Sequence, residues 1–365
     1  MDNYLKAQII TYMGNKRKLL PHIEKIVLDL QDKIGHKLKI GDGFSGSGIV
    51  SRLFKMHADS LYVNDVASYS ETLNKCFLSN ITKEDEEKIK GFIKKANEYA
   101  DKQNKYTDPY ISGNWSPCGE INESDRVYFT SENGKRIDII RNYIETLPDK
   151  YKPFLLALLL VEVSIHNNTS GQFSAFYKNG KIGQYGGAKN IDLKRITSPI
   201  TLEMPNLIKN NCKSYISKND TNIWVKNIPK LDLVYYDPPY NKHPYSIYYF
   251  LLNIVNNWDK NVEIPNTTRG QPLNWEKSSY NSSIHAKTAF EELIKNTNAT
   301  YILISYNNGG IIPINDLEKI LKKYGNLEKI HVEHKTYNKM KGISNYKRNL
   351  EKEKIQEYFF LLHKT

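Results

Sequence analysis

The sequence predicts an α/β fold: an open sheet whose strands alternate with helices and which carries a long inserted region. Three observations predict it. First, Leu38-Lys39-Ile40 leads through the glycine loop Gly41-Asp42-Gly43-Phe44-Ser45-Gly46-Ser47-Gly48 to the helix start Ile49-Val50-Ser51-Arg52-Leu53-Phe54, and the strand Ser60-Leu61-Tyr62-Val63 follows. That order is a strand–loop–helix–strand unit. Second, the apolar run Leu231-Asp232-Leu233-Val234-Tyr235-Tyr236 reads as a buried strand that stops at Asp237-Pro238-Pro239-Tyr240. The prolines forbid strand pairing and stiffen the backbone, so the acid and the ring are displayed rigidly at the strand's C-terminal end. Third, between Asp65 and Asp220 lies a long stretch that interrupts this alternation.

Each element follows from local pattern. Tyr12-Met13-Gly14-Asn15-Lys16-Arg17-Lys18 is a glycine-containing turn running into an amphipathic helix, with Leu19, Leu20, Ile23, Ile26, Val27 and Leu30 at helical spacing. Residues 66–135 are less regular; within them the charge-rich stretch 83–105 predicts a helix and Asn114-Trp115-Ser116-Pro117 a loop. Residues 137–165 predict two packed helices broken near Pro148, the second holding the apolar run 154–161. That run is cut short by Glu162, so it reads as a buried helix and not a membrane span. Gly180, Gly183, Gly186 and Gly187, set among Lys and Tyr, predict a hairpin or basic loop within 171–195. A short strand precedes Asn219-Asp220. After Tyr240 come a helix over 247–258, a polar loop through Arg269-Gly270, a strand over 301–306, a helix over 314–324 and closing strands at 328–332 and 357–362. The basic tract 335–354 predicts a mobile loop. The resulting division is a core of 1–80 and 210–365 around a mainly helical insert, 81–209.

With 365 residues, 39% of them hydrophobic, the chain can bury a large core. The net charge of +12 points to a polyanion as partner. The three cysteines, Cys76, Cys118 and Cys212, are scattered without a Cys-x-x-Cys pair, which speaks against structural zinc and suits a reducing compartment. No secretion signal or membrane-length apolar run is present, so a soluble cytoplasmic protein without a metal is expected.

The chemistry sits at strand ends, where open α/β sheets bind ligands. A carboxylate and carbonyls beside an aromatic face, as in Asp237-Pro238-Pro239-Tyr240, suit a flat group carrying an amine, such as a nucleobase; the alternative is a turn that caps a strand. The glycine loop lets the backbone pass close to a ligand. It lacks the Lys-Ser/Thr of a P-loop and the full spacing of a dinucleotide fingerprint. Asp65, at the next strand end, can accept both hydroxyls of a ribose. Together these suggest a nucleoside-type cofactor without phosphates, a description that S-adenosylmethionine fits. Tyr12 and Lys16, flanking Gly14, could close over such a cofactor or simply begin a surface helix. Asp220 stands where an adenine amino group could be bonded, or in a plain turn.

The order Tyr12-x-Gly14-x-Lys16, Asp42-x-Phe44-x-Gly46-x-Gly48, Asp237-Pro238-Pro239-Tyr240 resembles the Dam-like N6-adenine DNA methyltransferases, in particular the larger members found with restriction–modification systems. Arg126-Val127-Tyr128-Phe129-Thr130 through Ile137-Asp138, the stretch 168–178 and Ile304-Ser305-Tyr306-Asn307-Asn308 extend the resemblance over nearly the whole chain. Asn15 and Ser45 depart from the common pattern, which often has glycine and alanine there. The resemblance implies a class I, Rossmann-like S-adenosylmethionine-dependent methyltransferase core with an inserted DNA-recognition region. It implies that Tyr12, Lys16, Asp42, Phe44, Ser45, Gly46, Gly48, Asp65 and Asp220 hold S-adenosylmethionine. Asp237, Pro238, Pro239 and Tyr240 would receive an adenine flipped out of duplex DNA.

Lys178, Lys181, Arg195, Lys242, His243, Tyr245 and Arg269 are candidate DNA contacts, and 266–285 a further DNA-facing segment. A cognate restriction endonuclease would act separately, and a monomer or weak dimer is expected, with a monomer the default for this type of site. Other readings are a cytosine-N4 or RNA amino-methyltransferase, a protein methyltransferase and an inactive DNA-binding relative. A cytosine-C5 enzyme would need a Pro-Cys nucleophile; Pro117-Cys118 is present, but Gly119-Glu120 follows and no Glu-Asn-Val motif accompanies it.

Overall fold

The computed structural model describes residues 3–7, 9–103, 108–242, 244–273, 278–332 and 356–365. His243 and the basic tract 335–354 lie outside the described residues, as does part of the segment 266–285.

Seven strands form one sheet: β1 Lys39–Asp42, β2 Ser60–Asp65, β3 Lys213–Lys218, β4 Leu231–Tyr236, β5 Ala299–Asn307, β6 Gly325–Val332 and β7 Glu357–Lys364. Their order is β3-β2-β1-β4-β5-β7-β6. The first five are parallel and β7 runs antiparallel between β5 and β6. This mixed α/β sheet agrees with the Rossmann-like core that the resemblance implies. The chain builds outward from β1 in one direction through β2 and β3, then returns to β4 on the other side. The crevice beyond β1 and β4 is therefore the switch point where open sheets take ligands. Register aligns its walls: Asp42 pairs with Val63 and with Tyr235, and Asp65 with Lys218.

Both sheet faces are covered, as parallel strands require. Leu233, Tyr235, Leu303 and Phe359 share one core cluster with residues of helices Leu20–Ile34 and Ile49–His57. Val234, Tyr236, Ile302, Ile304 and Phe360 share another with residues of helices Ala286–Asn296 and Ile314–Leu321. A third cluster joins helices Ser68–Phe77, Lys83–Lys102, Ser131–Glu145, Lys152–His166 and Phe250–Asn257. Between β2 and β3 the described residues add helices and one small hairpin, Lys178–Asn179 with Ile182–Gly183, but no strand of the main sheet. Among the described residues, no helix is long and apolar enough to cross a membrane.

The expected helix over 247–258 is two pieces, Tyr245–Tyr248 and Phe250–Asn257, because Tyr249 leaves helical geometry at φ −123°. The helices Ser68–Phe77 and Ala286–Asn296 were not anticipated. Asp138, buried within Ser131–Glu145, clamps the segment 111–114: it accepts hydrogen bonds from the Ile111 and Ser112 amides and the Ser112 hydroxyl at 2.6–3.0 Å. Next to that segment, the Trp115 indole donates to the Arg269 carbonyl at 3.0 Å and so holds the loop that returns toward the crevice. Asp138→Ala would strand two buried amides. It is expected to lower the unfolding free energy by about 3 kcal/mol, read as a lower urea midpoint with an unchanged slope; an unchanged midpoint would refute the clamp.

Candidate active site

The cavity at the β1/β4 crevice is lined by Tyr12, Phe44, Asp65, Asp220, Asp237, Pro239 and Tyr245, together with Val66, Tyr69, Asn253, Ser278, Tyr280 and other residues. Chain segments as far apart as Tyr12 and Asn281 thus converge on one space. The glycine loop forms its floor. Ser45 N–H donates to the Asn64 carbonyl at 3.0 Å, and the Gly46 and Ala67 amides donate to the two Asp65 carboxylate oxygens at 2.7 and 2.9 Å. Burial pushes the Asp65 carboxyl up, against those backbone bonds. Gly46 is in the left-handed region at φ +51°, and a Cβ there would stand 2.7 Å from the Tyr12 ring. Glycine at this point is what lets Tyr12 lie on the loop.

Asp220 caps the turn Thr221–Trp224 through Oδ1, which accepts from the Asn222 and Ile223 amides at 2.9 and 3.3 Å. Phe44 stands edge-on to Tyr280, with ring centroids 5.2 Å apart, and the Tyr280 hydroxyl donates to Asn222 Oδ1 at 2.6 Å. One wall is therefore aromatic and carries a carboxylate beside it. On the opposite side Tyr12 stacks on Tyr245 and Tyr249 at 5.2 and 5.0 Å. The Met13 amide donates to the Tyr249 hydroxyl at 2.8 Å, and the Tyr245 hydroxyl donates to the Met13 carbonyl at 3.2 Å, so the N-terminal loop is tied down over the crevice.

Asp237 projects from the end of β4. The buried Lys16 ammonium lies 3.1 Å from its Oδ1 and 2.7 Å from Glu357 Oε1. The contact with Asp237 is an ion pair on a buried Oδ1, while the Asp237 side chain as a whole keeps 18% of its surface open. Burial pushes the Asp237 carboxyl up to about 6; Lys16 pulls it down and Glu357 adds to the push. For Lys16, burial pulls the ammonium down, but Asp237, Tyr240 and Glu357 outweigh it and hold it well above the ordinary lysine value.

A family model for D12 class N6 adenine-specific DNA methyltransferase matches residues 12–338, which takes in the N-terminal loop, the glycine loop and Asp237-Pro238-Pro239-Tyr240. The chain belongs to this family. It is 29% identical to the Type II methyltransferase M.NlaIII of Neisseria lactamica over 98% of this chain and 100% of that protein. It is 32% identical to Modification methylase StsI of Streptococcus sanguinis over 86% of this chain, and 28% identical to Type II methyltransferase M.FokI of Planomicrobium okeanokoites over 97% of it. The chain spans 46% and 52% of those two proteins, about half of each. It is accordingly an enzyme that methylates adenine in DNA, of the restriction–modification type.

For this methyltransferase, several expected site residues occupy a supporting layer and not the cavity wall. Lys16, expected over a cofactor, is spent on Asp237 and Glu357. Asp42 lies beneath the loop, where its Oδ2 accepts from the Ser51 hydroxyl at 2.6 Å; burial pushes this carboxyl up to about 7, against that bond and the Phe44 amide. The Ser45 hydroxyl is in a network with Ser70 and Asn74, and Gly48 starts helix Ile49–His57 in left-handed geometry. Tyr240 is edge-on to Tyr306, with Lys16 Nζ 5.4 Å from its ring centroid.

The expected DNA contacts divide. Arg195 donates to the Ile165, Asn167 and Thr169 carbonyls, which makes it a brace for the loop after helix Lys152–His166 rather than a free cation. Tyr245 belongs to the cavity wall. Lys178 lies over the Phe176 ring at 4.8 Å, while Lys181, Lys242 and Arg269 are exposed. Cys118 is exposed and not among the lining residues. Sequence reasoning missed Glu357, Tyr280, Tyr69 and Asn253; only Tyr280 had a signal, as an aromatic in the segment suspected of ligand contact.

Gly14 is at φ +71°, and a Cβ would stand 2.8 Å from the Tyr240 hydroxyl. Gly14→Ala is expected to slow DNA-adenine methylation by about tenfold or more through displacement of Tyr12 and Lys16, with the circular dichroism spectrum unchanged. Wild-type rates in the folded variant would contradict this close approach.

Proposed function

We propose that S-adenosylmethionine is the methyl donor and that the end of β4 receives an adenine turned out of duplex DNA. The observation that carries this reading is Asp237: a carboxylate on the wall of the cavity, held by Lys16 at a buried Oδ1 and with 18% of its side chain still open. The residues present fit the cofactor. Its adenosine suits the aromatic wall of Phe44 and Tyr280, with Asp65 for the ribose, since each of its oxygens retains a lone pair beyond one backbone bond, and Asp220 for the base amine through Oδ2, since both of its backbone bonds fall on Oδ1. Its positive charge suits a crevice where Asp65 and Asp237 line the wall and Asp42 lies near enough to both to feel their charge. When bound, the cofactor supplies an electrophilic methyl group on a sulfonium.

The chain's own residues do the rest. The adenine amino nitrogen is a poor nucleophile because its lone pair is delocalised into the ring. Asp237 and the Pro238 carbonyl accept its two N–H bonds, which favours a pyramidal nitrogen with the lone pair free to react. Positioning and electrostatics supply most of the acceleration, without a covalent nucleophile. Pro239 and Tyr245 offer the base its apolar wall, while Tyr240 supports Lys16 and Gly14 from behind. Turning the base out costs a few kcal/mol, offset by stacking here and by phosphate contacts elsewhere. We assign those contacts to the helical region 81–209 with its hairpin, where Lys181 is exposed, and to Lys242. A monomer in the cytoplasm, with a separately acting endonuclease as its counterpart, completes the reading.

The test is tritium transfer from methyl-labelled S-adenosylmethionine to unmethylated genomic DNA, followed by nucleoside analysis. Wild type is expected to yield N6-methyladenine. Asp237→Asn should lose at least about a hundredfold in rate while still binding cofactor, and Cys118→Ser should match wild type. Full activity in Asp237→Asn, or its loss in Cys118→Ser, would overturn the assignment. Lys181→Ala should weaken DNA binding across all sequences and reduce the slope of log affinity against log salt by about one; an unchanged slope would remove Lys181 from the interface.

A further inference from the structure

Glu357 opens β7 and is buried, with 4% of its surface exposed. Its Oε1 accepts hydrogen bonds from the Lys16 ammonium at 2.7 Å and from the Ser305 hydroxyl at 3.0 Å. A carboxylate in such a place must be paired to stay ionised. Its partner is not dedicated to it, because the same ammonium touches Asp237 Oδ1 at 3.1 Å. Two acids therefore share one cation. Ser305 and Glu357 belong to strands paired across the sheet, with Ser305 opposite Phe359, so the anchor sits on rigid backbone.

We propose that Glu357 is a positioning residue for methyl transfer: it anchors Lys16 Nζ beside Asp237 and thereby sets the place and charge of the carboxylate that receives the target amine. The inference rests on the reading of Asp237 given above. Without Glu357, the Lys16 side chain would have one acid to follow and would close on Asp237, competing with the amine for its oxygen. Without Lys16, two buried carboxylates would be left close together and one would take up a proton.

The groups facing Asp237 are Lys16 from the N-terminal loop, Glu357 from β7, Tyr235 from β4, Tyr240 and Tyr245 from the segment after it, and Asp42 from β1. Glu357 pushes the Asp237 carboxyl up and Lys16 pulls it down, beside the larger push of burial. Because the transfer needs Asp237 ionised, activity falls as pH falls through its pKa. Removal of the Glu357 charge lowers that pKa and moves the acid limb to lower pH. Removal of the Lys16 charge raises it and moves the limb to higher pH.

Single-turnover methyl transfer by the full-length protein, followed across pH with saturating labelled cofactor and unmethylated genomic DNA, tests this. Glu357→Gln, which keeps the shape, is expected to lower the plateau rate by about tenfold and shift the acid limb down. Lys16→Met should shift it up, with activity recovered at alkaline pH. The double variant, Lys16→Met with Glu357→Gln, should be more active at neutral pH than Lys16→Met alone, since the stranded acid is gone; it also keeps the test alive should Glu357→Gln fail to fold. A purely structural Glu357 would give additive losses and an unmoved limb, and that result would overturn the proposal. Full activity in Asp237→Asn would instead sink the reading beneath it, whatever Glu357 does.

Discussion

The buried contact of Lys16 with Asp237 and Glu357 is the interaction on which the site depends. It joins the N-terminal loop, the end of β4 and the start of β7, and Lys16 and Glu357 are 341 residues apart in sequence. Taking each charge out of water costs several kcal/mol, which is recovered only while all partners stay in place. The N-terminal loop is thus held against the sheet by charge as well as by the Tyr12, Tyr245 and Tyr249 stack. Its glycine lets the main chain pass the Tyr240 hydroxyl closely enough for Lys16 to reach inward. The same contact fixes Asp237 by its buried Oδ1 and leaves the rest of the carboxylate at the cavity wall, 18% of the side chain being open. A carboxylate oxygen has lone pairs to spare for a substrate amine.

Topology explains why this arrangement forms at one place. Parallel strands bring all their C-terminal ends to one edge, and the reversal of direction between β1 and β4 opens a crevice there. Asp65 and Asp220 on one side and Asp237 on the other then line the walls of a single space. The division of labour follows from depth: wall residues meet ligands, and a layer beneath them, with Asp42, Ser45, Lys16 and Glu357, keeps the wall in position. Asp42 is pushed up first by burial and then by the charges of Asp65 and Asp237, so three carboxylates lie close enough at the crevice to feel one another. Such a site favours a cationic ligand before any specific contact is made.

Much of this was legible in the sequence, and the reasons are physical. The glycine loop, Asp65, Asp220 and Asp237-Pro238-Pro239-Tyr240 could be found because each signal is local: a turn, a strand end, a pair of prolines. Lys16 was singled out as a site residue, but its neighbours were not legible, since a pairing across the length of the chain leaves no trace in local spacing. Arg195 was read as a DNA contact from its charge; its hydrogen bonds to three carbonyls depend on a loop path that composition does not encode. Helix Ser68–Phe77 escaped because its buried face carries Ser70 and Asn74, which bond to Ser45 and to each other and look polar from the sequence. Helix Ala286–Asn296 had a usable signal in Phe290, Leu293 and Ile294, hidden by the polar loop that precedes it.

The central claim is that an ionised, half-buried Asp237 accepts the target amine. The most direct measurement is the pH dependence of the wild-type methyl-transfer rate under single-turnover conditions, from about pH 5 to pH 8, with cofactor and DNA saturating at every point. A carboxyl that burial pushes up to about 6 predicts a rate that rises tenfold per unit at the acid end and levels off above that value. A rate that stays flat across the range, with the protein folded and both ligands bound, would contradict it.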